Sequence, residues 1–90
     1  MKHLKIDAEL RDICQEIVNM KRTEEEWSNA ESSDMFQSTL YNGGYDSDEK
    51  AFCFSFFDNR DFEYWFQIPL SDVFKIASGE NMDIKLRDAS

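Results

Sequence analysis

The sequence predicts an α+β domain: a three- to four-stranded antiparallel meander with helices packed mainly on one face, in the order α-α-β-β-β-α and then a last strand or loose tail. Three observations carry this. Apolar residues recur at helical spacing over residues 7–21, two aromatic-rich runs at 51–57 and 62–68 alternate with a period of two, and Asp58-Asn59-Arg60-Asp61 between them forms a hairpin connection. Sequential hairpin strands flanked by amphipathic helices bury their apolar sides by stacking as two layers.

Ile6, Leu10, Ile13, Cys14, Ile17 and Val18 fall three and four residues apart, with Glu9, Arg11, Asp12, Gln15, Glu16 and Asn19 opposite. The first helix is therefore amphipathic, and Asp7 is its N-cap candidate. Thr23 and Glu26 fit a capping box, in which hydroxyl and carboxylate satisfy each other's orphan N–H groups. They start a second helix from Glu24 to about Ala30, with Trp27 as its only large apolar anchor. Residues 28–34 are polar and read as a loop.

Residues 35–41 are β-favouring, with Phe36, Ser38 and Leu40 on one face, and predict the first strand. Asn42-Gly43-Gly44 is expected to end it, since glycine tolerates the positive φ of a turn. After a polar loop at 46–50, the strand from Ala51 to Phe57 puts Phe52, Phe54 and Phe56 on one face and Cys53, Ser55 and Phe57 on the other. Beyond the hairpin, Phe62, Tyr64, Phe66 and Ile68 line one face of the third strand, with Glu63, Trp65 and Gln67 opposite. Pro69, with no N–H to donate, stops that ladder. Ser71 is expected to cap a short helix carrying Val73, Phe74, Ile76 and Ala77, and Gly79 to form its left-handed C-terminal cap. Met82, Ile84 and Leu86 alternate as an edge strand or a frayed end.

Ninety residues make one domain, which buries only about 60–65% of its unfolded surface and so needs a dense core. Aromatics at 14% supply it. Cys14 and Cys53 occupy apolar-periodic positions without CxxC spacing, the pattern of buried, reduced thiols in a cytoplasmic protein. The amino-terminal residues lead at once into charged amphipathic sequence, so neither a signal peptide nor a membrane span is expected.

A formal charge of −9 repels phosphate backbones and anionic lipid, which disfavours direct binding to nucleic acid or membrane and points to a basic protein partner. From Asp46 to Asp72 there are seven acids against Lys50 and Arg60. Catalytic material is sparse: one histidine, His3, near the amino terminus, two separated cysteines and scattered carboxylates, so no enzyme activity is expected. Asp46-Ser47-Asp48-Glu49 resembles the opening of a calcium loop, but Ala51 stands where its glycine belongs and Phe57 where its bidentate glutamate belongs. Asn42-Gly43-Gly44 leads into an acidic run rather than a helix with a lysine, so it is no phosphate cradle. The aromatic rows lack the flanking cations of a base-stacking platform. No cofactor or metal is expected.

The row of Phe52, Phe54 and Phe56 reads as core. The second sheet face, with Cys53, Phe57, Glu63, Trp65 and Gln67, is either an interface or is covered by the second helix through Trp27 or by the tail. Candidate partner-binding residues are Tyr41, Tyr45, Asp46, Asp48, Glu49, Asp58, Asp61, Glu63 and Trp65, because both acidic loops flank one hairpin close to these rings. In size, charge and α+β make-up the chain is similar to barstar-type and other small immunity proteins. The expected function is a small acidic inhibitor, a bacterial toxin-immunity protein that occludes a basic nuclease. The alternatives are a phage-encoded DNA mimic of anti-restriction or anti-CRISPR type, to which Glu24, Glu25, Glu26 and Glu31 would contribute, and a small adaptor subunit of an assembly.

Overall fold

A computed structural model describes residues 3–38 and 40–88. In chain order the elements are β1 (His3–Lys5), α1 (Ala8–Met20), α2 (Glu24–Ser28), β2 (Ser33–Gln37), β3 (Asn42–Asp46), β4 (Ala51–Phe57), β5 (Glu63–Pro69), α3 (Leu70–Ala77), β6 (Asp83–Lys85) and β7 (Arg87–Asp88). The main sheet has five strands in the order β2-β3-β4-β5-β7, every neighbouring pair antiparallel, and β1 pairs with β6 in a separate two-stranded ladder. The α+β class, the meander and the helices on one face are as the sequence predicts. The additional strands are β1, β3 and the division of the tail into β6 and β7.

The helices form where local chemistry starts and stops them. Asp7 caps α1, its Oδ1 accepting from the Leu10 N–H at 2.7 Å. The Thr23 hydroxyl accepts from the Glu26 N–H at 3.1 Å and donates to the Glu26 carboxylate, so that carboxylate binds the hydroxyl rather than the Thr23 N–H of a full capping box. α3 begins at Leu70, with Pro69 in the N-cap position and no side-chain cap. Ser71 thus lies inside the helix instead of before it: proline's fixed φ suits a helix start, and the Leu70 N–H donates back to the Lys50 carbonyl at 3.2 Å. At the other end Gly79 has φ 113°, and the bonds Gly79 N–H to Ile76 O and Glu80 N–H to Lys75 O form a Schellman cap.

The largest departure from the sequence reading is at residues 38–44. β2 ends at Gln37, the chain reverses before Asn42, and Asn42-Gly43-Gly44 lies inside β3. Thr39, part of the strand expected over 35–41, lies outside the described residues. Leu40 is exposed, whereas Tyr41 is fully buried. The reversal is held from α1: Glu9 Oε2 accepts from the Ser38 hydroxyl at 2.7 Å and the Leu40 N–H at 2.9 Å, and the Tyr41 hydroxyl donates to Asp7 Oδ2 at 2.8 Å. Gly43 serves close packing: a Cβ there would stand 1.9 Å from the Cys53 carbonyl oxygen.

All three helices bury their apolar sides in one cluster with Phe36, Tyr45, Phe52, Phe54, Phe56, Tyr64, Phe66 and Ile68. Trp27 packs edge-on against Phe52, with centroids 4.9 Å apart, and its indole N–H donates to the Ile17 carbonyl at 3.1 Å, tying α2 to the end of α1. Phe62, expected on this covered face, precedes β5 and is 46% exposed. Trp27 therefore lies on the covered side, and among the described residues no helix crosses the other face of the sheet.

Candidate functional site

The strand registers define that open face. Cys53 faces Gly44 and Gln67, Ser55 faces Asn42 and Trp65, Phe57 faces Glu63, and Trp65 faces Arg87 on its other side. Because side chains alternate along a strand, these residues all project away from the helices. Cys53, Ser55, Glu63, Trp65 and Gln67 are half-buried and Phe57 is 54% exposed, as a face covered only by its own neighbours should be.

An acidic turn closes each end of β4. Seven residues at about 3.3 Å each put the two turns roughly 20 Å apart. In the first, Asp46 Oδ1 accepts from the N–H groups of Asp48 at 3.0 Å and Glu49 at 3.3 Å. This shapes the turn from within and leaves the Asp48 and Glu49 side chains exposed. The Ser47 N–H donates to Ser32 Oγ at 2.9 Å, which ties the turn to the start of β2. Lys50 ends the turn with φ 52° and donates its ammonium to the Ser28 carbonyl.

In the second turn, Asp58 Oδ1 accepts from the N–H groups of Arg60 at 2.8 Å and Phe62 at 3.1 Å, while Oδ2 pairs with the Arg60 guanidinium at 2.9 Å. Desolvation, the largest single influence, raises the Asp58 carboxyl, but the hydrogen bonds from the Arg60 side chain, the Arg60 N–H and the Phe62 N–H, with the Arg60 charge, together outweigh it and hold it below its ordinary value. Asp58 is thus engaged within its own loop, and Asp61, with φ 63°, is the exposed carboxylate of this turn. Two guanidinium groups lie on rings nearby, Arg60 at 4.9 Å from the Phe62 centroid and Arg87 at 5.0 Å from the Trp65 centroid.

Of the nine residues proposed from the sequence, the fold places Asp46, Asp48, Glu49, Asp58, Asp61, Glu63 and Trp65 on the open face or at its two ends. Tyr41 and Tyr45 belong to the core at 0% and 3% exposure, so their rings are not presented to a partner. Burial, then the hydrogen bond to Asp7 and the charges of Asp7 and Glu9, push the Tyr41 phenol well up. Burial and Asp46 do the same to Tyr45, whose hydroxyl is buried with no hydrogen-bond partner among the described residues. Their sequence proximity to the acidic turn was misleading, because alternation sends residue 45 to the face opposite residue 46.

Three further contributors lie outside the nine residues read from the sequence. Glu24 and Glu25, in the first turn of α2, line a cleft together with Glu49, Lys50 and Ser71, so the acidic surface continues around the end of the sheet. The signal was the acidic start of a capped helix, where carboxylates are favoured by the helix dipole. Phe57 is the third, marked out by its place at the exposed end of the row on the same face.

Cys14 and Cys53 are both free thiols. Burial, opposed weakly by Arg11, pushes Cys14 up to about 12. Cys53 is raised by burial first; Gln67 and Arg87 pull it down, and Asp46 and Glu49 push it up, so the thiol feels charges from both sides of the open face. Among the described residues no group of three or more His, Cys, Asp or Glu side chains is arranged to hold a metal ion, and no helix is long and apolar enough to cross a membrane. Comparison with known protein families, curated proteins and solved structures gave no match.

Proposed function

We propose that this protein is a binding inhibitor of a basic protein, a cytoplasmic immunity protein of bacterial type that docks its open sheet face over the substrate cleft of a nuclease toxin. The observation that supports this best is the helix-free face itself, with Trp65 and Phe57 set between two acidic turns about 20 Å apart. A nuclease must present lysines and arginines to phosphate, and a face that offers carboxylates at both ends with rings between them complements such a cleft in charge and in apolar area. The charge of −9 would also steer encounter, giving association rates up to about 10⁸ M⁻¹s⁻¹ at low salt.

The decisive experiment screens nuclease toxin domains for inhibition by this chain and takes forward the one inhibited. Inhibition is measured at low salt for wild type and for a variant with Asp48→Lys, Glu49→Lys and Asp61→Lys, which spares the carboxylates that shape the turns. The variant is expected to lose inhibition while keeping its fold; equal inhibition would refute the mechanism. A phage-encoded DNA mimic is the second reading, supported by the continuation of the acidic surface through Glu24 and Glu25. Its target would be displaced by duplex DNA, and Trp65→Ala would leave binding nearly unchanged.

A further inference from the structure

We infer that Trp65 is a receptor for a guanidinium group of the partner and that the chain's own Arg87, carried on the last strand, occupies this receptor in the free protein. The inference rests on the open-face reading above and adds to it the group recognised and a built-in competitor.

Trp65 projects from the middle of β5 on the helix-free face, with Ser55 across from it on one side and Arg87 on the other. It is half-buried and leaves part of its ring accessible. Tryptophan has the strongest ring quadrupole of the aromatic residues, and a planar guanidinium can both stack on it and attract it electrostatically, which an ammonium does less well. The acids of the first turn add negative potential to the same face. The Arg87 guanidinium lies 5.0 Å from the Trp65 centroid.

The strand carrying Arg87 is only two residues long, paired to β5 through Tyr64↔Asp88 and Trp65↔Arg87. So short a ladder holds the arginine in place through few backbone bonds and can release it when another cation arrives. The same arrangement recurs at the adjacent hairpin, where Arg60 lies over the exposed Phe62, but there the guanidinium is also paired to Asp58. Arg87 is therefore the displaceable one. An arginine on the partner takes its place over the ring, and the free protein is protected meanwhile from presenting a bare tryptophan.

The test is a titration of the isotope-labelled full chain with a peptide of six arginines, and separately of six lysines, followed through the two tryptophan indole N–H signals. Trp27, whose N–H is bound to the Ile17 carbonyl on the covered side, reports fold integrity and should not move. The arginine peptide is expected to shift the Trp65 signal and to bind more tightly than the lysine peptide. Arg87→Gln is compared with Lys85→Gln, which removes the same charge two residues away. Removing a competing exposed contact of this type should tighten arginine binding by about two- to five-fold relative to Lys85→Gln. Should Arg87→Gln fail to fold, Arg87→Lys against wild type makes the same comparison. If Arg87→Gln binds no more tightly than Lys85→Gln, or if the lysine peptide binds as well as the arginine peptide, the receptor-and-competitor inference is overturned while a shifting Trp65 signal leaves the open-face reading standing. A Trp65 signal that stays still throughout overturns both.

Discussion

Gly43→Ala tests the strand register on which the whole site depends. The added methyl carbon would stand 1.9 Å from the Cys53 carbonyl oxygen and 2.7 Å from the Phe54 ring. Ordinary contact between such atoms needs more than 3 Å, and the obstructing oxygen is backbone, so β3 must move about 1 Å or more away from β4 instead of a side chain turning aside. Overpacking of this kind costs about 1–3 kcal/mol. The loss of two ladder hydrogen bonds adds about 2 kcal/mol, and the reduced entropy of the unfolded chain returns roughly 0.4–1 kcal/mol. The net loss is about 2–5 kcal/mol, which for a domain of this size lowers Tm by about 8–40 °C. Thermal and urea unfolding followed by circular dichroism measure it. Gly79→Ala is the comparison: it meets nothing within 4 Å, so its cost is confined to the strain of φ 113°. A Tm for Gly43→Ala within about 3 °C of wild type would refute the register and with it the placement of Asp46 and Cys53 on the open face.

Trp27→Ala should cost about 3–5 kcal/mol, as expected for a ring 2% exposed whose N–H satisfies a buried carbonyl. Trp65→Ala should cost about 1 kcal/mol and act mainly on partner binding, so equal losses in chemical denaturation would contradict the two-sided sheet. Tyr45→Phe removes a buried hydroxyl that has no partner among the described residues; its unfolding midpoint should be unchanged or higher, and a marked drop would reveal a bond to that oxygen. Both thiols should react slowly with iodoacetamide at neutral pH, with half-buried Cys53 labelled before Cys14, and mass spectrometry of the timed reaction would expose the reverse order. Because the Asp58 carboxyl is held below its ordinary value in the folded state, its stabilisation of the hairpin is complete above the ordinary aspartate range and is lost as pH falls through the lowered value. The protection factor of the Phe62 amide, its exchange relative to the intrinsic rate at each pH, should fall over that acid interval in wild type, and Asp58→Asn should remove that fall.

Local signals were legible wherever a short stretch decides its own structure. Asp7 and Thr23 cap the helices they precede, Gly79 ends α3 in a left-handed conformation, and the alternation of residues 51–57 separates the phenylalanine row from Cys53, Ser55 and Phe57. The pair of glycines at 43–44 was not legible in the same way. Glycine suits a turn and equally suits a strand that another backbone approaches closely, and only the position of the Cys53 carbonyl selects between these. The site divided along the same line: acids next to strand ends stayed on the surface, whereas Tyr41 and Tyr45 followed the alternation of β3 and the pull of Asp7 into the core.

By itself the amino-acid sequence determined the α+β class, the caps of the first two helices, the aromatic row that becomes the core, and an excess of negative charge, because each follows from the chemistry of residues close together in the chain. The tertiary structure alone decided which side of the sheet the second helix takes, so that Trp27 and Trp65 end on opposite sides, that Glu24 and Glu25 meet Glu49, and that Arg87 reaches the Trp65 ring. These are encounters between segments far apart in sequence, fixed by strand register and helix docking, and no local pattern encodes them.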